Sequence, residues 1–189
     1  MKELPSFTEL TKLARRSVDS ASFRLAVVGD CATQHISSAL KGFGAFSGMP
    51  CDVFDADYDQ IRAQITDPSS EVYSFNPDFL VVINCTERLW EQYCSDSERE
   101  SFAERKAEEI KALWTAFSTN SPESKLLQFN FPEMDDRVFG NYSQKVSSSF
   151  LYQTRKLNLL LADGARDSKG VFLIDISSLQ SRVGREFFA

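Results

Sequence analysis

Residues Phe23–His35 read FRLAVVGDCATQH, an apolar run from Phe23 to Val28 that breaks at Gly29 and passes into the polar turn Asp30-Cys31-Ala32-Thr33. An apolar-periodic segment follows at once. A strand, a tight turn and a helix in direct succession form the opening unit of an α/β fold, because a parallel strand pair needs a crossover to bring the chain back. In such folds the ligand crevice lies outside the carboxyl ends of the strands. Asp30, Cys31 and Thr33 are therefore the first place to look for chemistry.

The alternation continues along the chain. Ser6-Phe7-Thr8-Glu9 is a capping-box pattern, and Phe7, Leu10, Leu13 and Ala14 fall at helical spacing, so a helix is expected over about 7–17. A polar link, Ser17–Ser22, precedes strand 1. A second helix is expected from Thr33 to Gly42, with Gly42 and Gly44 stopping it. Strand 2 is Cys51–Phe54, followed by a helix at Tyr58–Ile65 and a short helical turn at Glu71–Phe75. Phe79–Ile83, FLVVI, is apolar without alternation, as parallel strands covered on both faces are. Asn84–Cys94 reads as a loop or short helix. Ser97–Ser118 is the longest helix, Lys125–Phe129 strand 4, Asn130–Ser149 a long loop, Phe150–Ala165 a helix and Val171–Ile174 strand 5. A final helix starts at Ser177. The expected architecture is a three-layer α/β/α sandwich with a five-stranded parallel sheet in the flavodoxin-like order 2-1-3-4-5. The switch point then lies between strands 1 and 3, and Gly29–Thr33 faces Asn84–Arg88.

Several classes are excluded early. The net charge of −6 argues against a nucleic-acid surface, which wants a basic stripe, and favours solubility. No stretch reaches the roughly 18 apolar residues of a membrane span, and the amphipathic start is not a signal peptide. Cys31, Cys51, Cys85 and Cys94 form no CxxC pair, and with one His a zinc site is not expected. Reduced thiols in a cytoplasmic setting are the default for this pattern. No P-loop or GxGxxG occurs.

Two readings stand for Cys31. A thiol at a helix N-terminus is favoured as thiolate by the macrodipole and the free N–H groups, with a pKa below about 8.5, and is a candidate nucleophile. His35, four residues on, is then a candidate base, or simply sits at the surface. Otherwise Cys31 packs and Asp30 caps the helix. Asn84, just past strand 3, is placed to donate its amide to an oxyanion, or simply ends the strand. Asn130 and Asp175 end strands 4 and 5 on the same sheet edge, and Asp175 is equally suited to cap the Ser177 helix. Glu87 and Arg88 read as a solvated pair.

The ordered pieces Gly29-Asp30-Cys31 with Thr33-Gln34, Asp57-Tyr58-Asp59-Gln60, Asp67-Pro68-Ser69-Ser70, Tyr73 and Phe75-Asn76-Pro77-Asp78 resemble the N-terminal domain of FkbH-like proteins. Asn130-Phe131-Pro132, Gly140-Asn141, Leu157-Asn158, Phe172–Asp175 and Gly184-Arg185 agree. The resemblance covers most of 23–185, after the N-terminal helix and link of 1–22, and implies one domain there, similar to SGNH (GDSL-like) hydrolases. In that family a haloacid-dehalogenase-type phosphatase domain with a DxDxT motif follows. No DxDxT occurs here, so the chain resembles the N-terminal part of a longer protein, and Gly184–Ala189 are expected to pack poorly or to meet a neighbour. No cofactor is implied for this domain itself; magnesium is expected in the downstream domain.

The resemblance also implies roles. The GDS block falls on Gly29-Asp30-Cys31, with Cys in place of the nucleophilic Ser. The second block's glycine, an oxyanion donor, falls on Asp59, and the third block's asparagine on Asn84. The last block needs DxxH, but Asp175-Ile176-Ser177-Ser178 carries Ser where His belongs. Without its base an esterase of this type is crippled. Characterised relatives load a glyceryl group from a phosphorylated three-carbon donor onto an acyl carrier protein, and others lie in polysaccharide or polyketide pathways. The implied role is binding or positioning an acyl, glyceryl or carrier-linked group for the downstream domain, through Asp30, Thr33, Asp59, Asn130 and Asp175. The alternative is a thiol acyltransferase or hydrolase with Cys31 as nucleophile and Asn84 in its oxyanion hole. A vestigial docking module is a third reading.

Overall fold

The computed structural model describes residues 4–15, 21–134 and 136–184. Five strands, β1 (Phe23–Gly29), β2 (Cys51–Asp55), β3 (Phe79–Ile83), β4 (Lys125–Phe129) and β5 (Val171–Ile174), form one sheet in the order β2-β1-β3-β4-β5. Every pairing is parallel, with Gly29 opposite Ile83 and Phe129 opposite Ile174. The expected order therefore holds.

Alternation along the central strands divides the core in two. Leu25 and Val27 of β1 and Val81 and Ile83 of β3 meet Ile36 and Leu40 on one face. Ala26, Val28, Leu80 and Val82 meet Ile65, Ile110, Trp114, Phe117, Leu157 and Leu161 on the other. The first set packs under α2 (Gln34–Phe46). The second packs under α3 (Ile61–Thr66), α6 (Phe102–Asn120) and α7 (Phe150–Asp167). Burying such an aliphatic side chain contributes about 1.5–3 kcal/mol, so β1 and β3, covered on both faces, anchor the sheet. Shorter helices are α1 (Phe7–Ala14), α4 (Glu71–Phe75), α5 (Thr86–Ser95) and α8 (Ile176–Val183). Among the described residues, no helix is long and apolar enough to cross a membrane.

For Asn84–Cys94 the short-helix alternative holds, because α5 occupies most of it. Other boundaries change. The long loop 130–149 contains a 3₁₀ turn at Gly140–Lys145. The second helix begins at Gln34 rather than Thr33 and is not stopped by Gly42, but runs on to Phe46. The glycines serve contact instead of termination. A Cβ at Gly42 would lie 2.1 Å from the Leu10 carbonyl oxygen, and one at Gly44 would lie 2.8 Å from the Met49 carbonyl oxygen. Gly42 is thus where α1 presses its backbone onto α2. The end of the expected first helix, most of the Ser17–Ser22 link and all of Gly184–Ala189 but Gly184 lie outside the described residues.

This contact sets two effects against each other at Gly42. Alanine raises helix propensity by about 1 kcal/mol, while overpacking against rigid backbone costs about 1–3 kcal/mol. Gly42→Ala is expected to lower stability in urea denaturation and to speed amide exchange across Phe7–Ala14. A more stable variant with unchanged exchange would contradict the close approach.

Candidate functional site

β1 leaves the sheet at Gly29, and the Asp30 N–H still donates to the Ile83 carbonyl at 3.1 Å. That bond aims the Asp30 carboxylate across the gap toward the end of β3. One oxygen accepts the Cys85 N–H at 2.7 Å, and the other accepts the Asn84 side-chain amide at 3.0 Å. The Asn84 carbonyl oxygen in turn accepts from Gln128 Nε2 at 3.1 Å, and Gln128 Oε1 accepts from Trp114 Nε1 at 3.1 Å. A continuous chain of hydrogen bonds runs from the buried indole to the half-buried carboxylate at the switch point. Gln128 is fully buried, so its amide has to be satisfied internally.

Charged residues lie beside these strand ends. Arg88, on α5, donates to Asp59 at 3.3 Å and to Glu91 at 2.9 Å. Its guanidinium lies 5.6 Å from the Tyr58 ring centre. Asp59 has φ of 59°, the left-handed region that a short polar residue tolerates. Its N–H donates to the Gly29 carbonyl at 3.1 Å, so it is spent on holding the turn and is not free for an oxyanion.

The other expected residues divide between the crevice and the scaffold. Asp30, Cys31, Asn84 and Asp59 gather at the ends of β1 and β3. Thr33 does not join them: it is buried, and its hydroxyl donates to Asp55 at the end of β2, 2.6 Å away. Asn130 and Asp175 pair with each other at 2.8 Å. Asn130 also accepts the Ser177 N–H, and Asp175 accepts the Ser178 N–H, so the pair caps α8. His35 sits in the first turn of α2, its ring 5.5 Å from that of Phe7.

The expectation of an acidified thiol is overturned. α2 starts three residues after Cys31, with Thr33 as its N-cap, so Cys31 lies in the turn and not at the helix N-terminus. Burial pushes its thiol pKa up, and the Asp30 and Glu87 carboxylates add to that; hydrogen bonding with Cys85 opposes. Burial pushes Cys85 further, to about 12. Both thiols stay protonated at neutral pH, and a thiol is a poor nucleophile compared with its anion. Among the described residues, no group of three His, Cys, Asp or Glu side chains is placed to hold a metal.

Gln128 and Trp114 belong to the site through contacts that the motifs do not mark. The signal for Gln128 is its place as the one polar residue inside LLQF, where a buried polar group needs partners from neighbouring strands. The later family-like pieces also acquire local causes. Asn158 holds Phe131 by both backbone groups, at 2.9 and 2.8 Å, and Gln180 does the same for Glu133. These amides pin the segment after β4.

A parallel α/β domain with polar side chains gathered at its switch point is the class that the fold defines. The chain belongs to the FkbH N-terminal domain family, whose model matches residues 24–189. It is similar to a crystal structure of the N-terminal part of the protein BF1531 from Bacteroides fragilis, containing a phosphatase domain complexed with Mg. The TM-score is 0.88 at 28% identity, over 97% of this chain and 48% of that one. The chain thus spans about half the length of that relative. No curated protein matches it.

The shifted thiols tie stability to pH. Cys85 in the fold holds its proton up to about 12, whereas an unfolded thiol loses it near 9.0. The folded state binds more protons between those values, so its stabilisation is full below the unfolded pKa and declines as pH rises through the folded one. Urea unfolding between neutral and alkaline pH is expected to show that decline, and Cys85→Ala should make it shallower. An equal slope in the variant would contradict the raised pKa.

Proposed function

We propose that this domain is the N-terminal part of an FkbH-like enzyme and binds or positions an acyl, glyceryl or carrier-protein-linked group. A downstream phosphatase-like domain of the same chain would act on that group, in biosynthesis of the polysaccharide or polyketide type. The observation that carries this reading is the Asp30 carboxylate, held by Asn84 and the Cys85 N–H and rimmed by Arg88. Such a cluster presents an oriented acceptor, with the Arg88–Asp59 ion pair on the neighbouring loop, without an activated nucleophile. It suits holding hydroxyl and anionic groups of a substrate better than attacking a carbonyl.

The family membership supports the general setting, and the phosphatase domain of the Bacteroides relative supports a downstream partner. The glyceryl donor and the acyl carrier protein come from the family resemblance. Metal chemistry, with magnesium, belongs in this reading to the downstream domain. The thiol acyltransferase reading has the raised Cys31 pKa against it.

The test uses a chain that includes the phosphatase-like domain. A lost hydrogen bond to a charged group costs about 1.5–3 kcal/mol, so Asp30→Asn is expected to raise KM for the carrier-linked acceptor about tenfold or more. Phosphate release from a small phosphate ester should be unchanged. Cys31→Ser should keep most of the transfer activity. An inactive Cys31→Ser enzyme with an unaffected Asp30→Asn enzyme would reverse the two readings.

A further inference from the structure

The order of connections covers the two faces of the sheet unequally. α3, α4, α5, α6 and α7 all place side chains in the larger core on one face. On the other face, among the described residues, Ile36 and Leu40 of α2 are the only helical side chains in the core. α2 joins β1 to β2 and so lies toward that end of the sheet, and α1 packs on α2. α8 follows β5 but adds no side chain to either core; its one buried residue, Gln180, bonds to the Glu133 backbone instead.

β4 and β5 therefore present an apolar strip on the α2 side. Leu127 and Phe129 belong to that side, and register sets Phe172 beside Leu127 and Ile174 beside Phe129. Phe172 is 53% exposed, and Leu127, Phe129 and Ile174 are half-buried. Lys125, at the amino end of β4, is the one charged residue on this side of the two strands. A parallel sheet ordinarily has both faces covered, and an apolar strip left open marks an interaction surface. With a single charge at its end, this strip suits an apolar partner rather than an acidic or nucleic-acid one.

We infer that the phosphatase-like domain downstream docks an apolar surface on the β4–β5 strip, with Phe172 as the anchor. The inference rests on the proposed presence of that domain in the same chain. Two observations favour it over other occupants. The Bacteroides relative carries about as much chain again as the part this chain matches, and its structure contains a phosphatase domain. Gly184 follows β5 by a single helix, α8, whose eight residues span about 12 Å. A domain joined there is tethered beside the strip, and tethering gives it an effective concentration of about a millimolar, which a separate copy of the chain does not match. β4 lies two strands from β1, about 10 Å at the usual strand spacing. A domain seated on it is within reach of a group held at Asp30.

Maleimide labelling of Phe172→Cys tests this, in the 189-residue chain and in a chain that includes the phosphatase-like domain, with exposed Cys94 as internal reference. Relative to Cys94, labelling at position 172 should be about tenfold slower or more in the longer chain, as for a tethered docked domain. Equal relative rates would overturn the docking. Slow labelling already in the 189-residue chain, speeding up on dilution, would give the strip to a second copy and overturn it as well. Phe172→Glu in the longer chain supplies a second readout. Small-angle scattering should show a larger radius of gyration, with phosphate release from a small ester unchanged and transfer to the carrier-linked acceptor reduced. An unchanged radius would contradict the docking. A longer chain without transfer activity would defeat the carrier-group reading alone, because protection at position 172 is measured without turnover.

Discussion

The Asp30 carboxylate joins the carboxyl end of β1 to that of β3 through the Cys85 N–H and the Asn84 amide. Parallel strands diverge once their ladder ends, and at the switch point the connections leave toward opposite faces. A charged acceptor that satisfies two donors there closes the top of the sheet just past the last backbone bond, from the Asp30 N–H to the Ile83 carbonyl. Hydrogen bonds to charged groups contribute about 1.5–3 kcal/mol each, enough to hold the two loops against thermal opening. The Gln128 and Trp114 side chains extend that restraint into the core. The same carboxylate that fixes the loops is also a firmly oriented polar group at the switch point, so scaffold and candidate site share one residue.

Cys31 shows why position in a motif differs from chemistry. The resemblance to SGNH hydrolases sets a nucleophile at its place after Gly29-Asp30, but the helix that would acidify it begins only at Gln34. What surrounds the thiol is burial and the carboxylates of Asp30 and Glu87, and all three favour the neutral form. The charge that organises the loops is thus one of the influences that keep the thiol unreactive.

The sheet order was legible because apolar runs such as Phe79–Ile83 and the intervening helical periods leave few topologies. The meeting of Asp30 with Asn84 followed from that order. Helix boundaries at Gly42 and Gly44 were not legible, since a glycine that stops a helix and one that admits a neighbour look alike locally; only the approach of Leu10 and Met49 tells them apart. Gln128 escaped for a related reason: its function is a contact with residues 14 and 44 positions away. Thr33 and Asp175 were placed on the correct edge, yet their side chains serve Asp55 and the α8 N-terminus. Sequence order brings residues to an edge, while rotamers and partners decide which of them face a ligand.

In the proposed function a carrier-linked group rests against the polar loops at the ends of β1 and β3. The most direct measurement is a nitrogen-15 NMR titration of the chain with an acyl carrier protein bearing a glyceryl thioester. Amide shifts are predicted to concentrate at Gly29–Cys31, Asp59 and Asn84–Arg88. Shifts confined to the opposite sheet edge, around Asn76–Asp78 and Ser121–Ser124, or no shifts at all, would contradict the account.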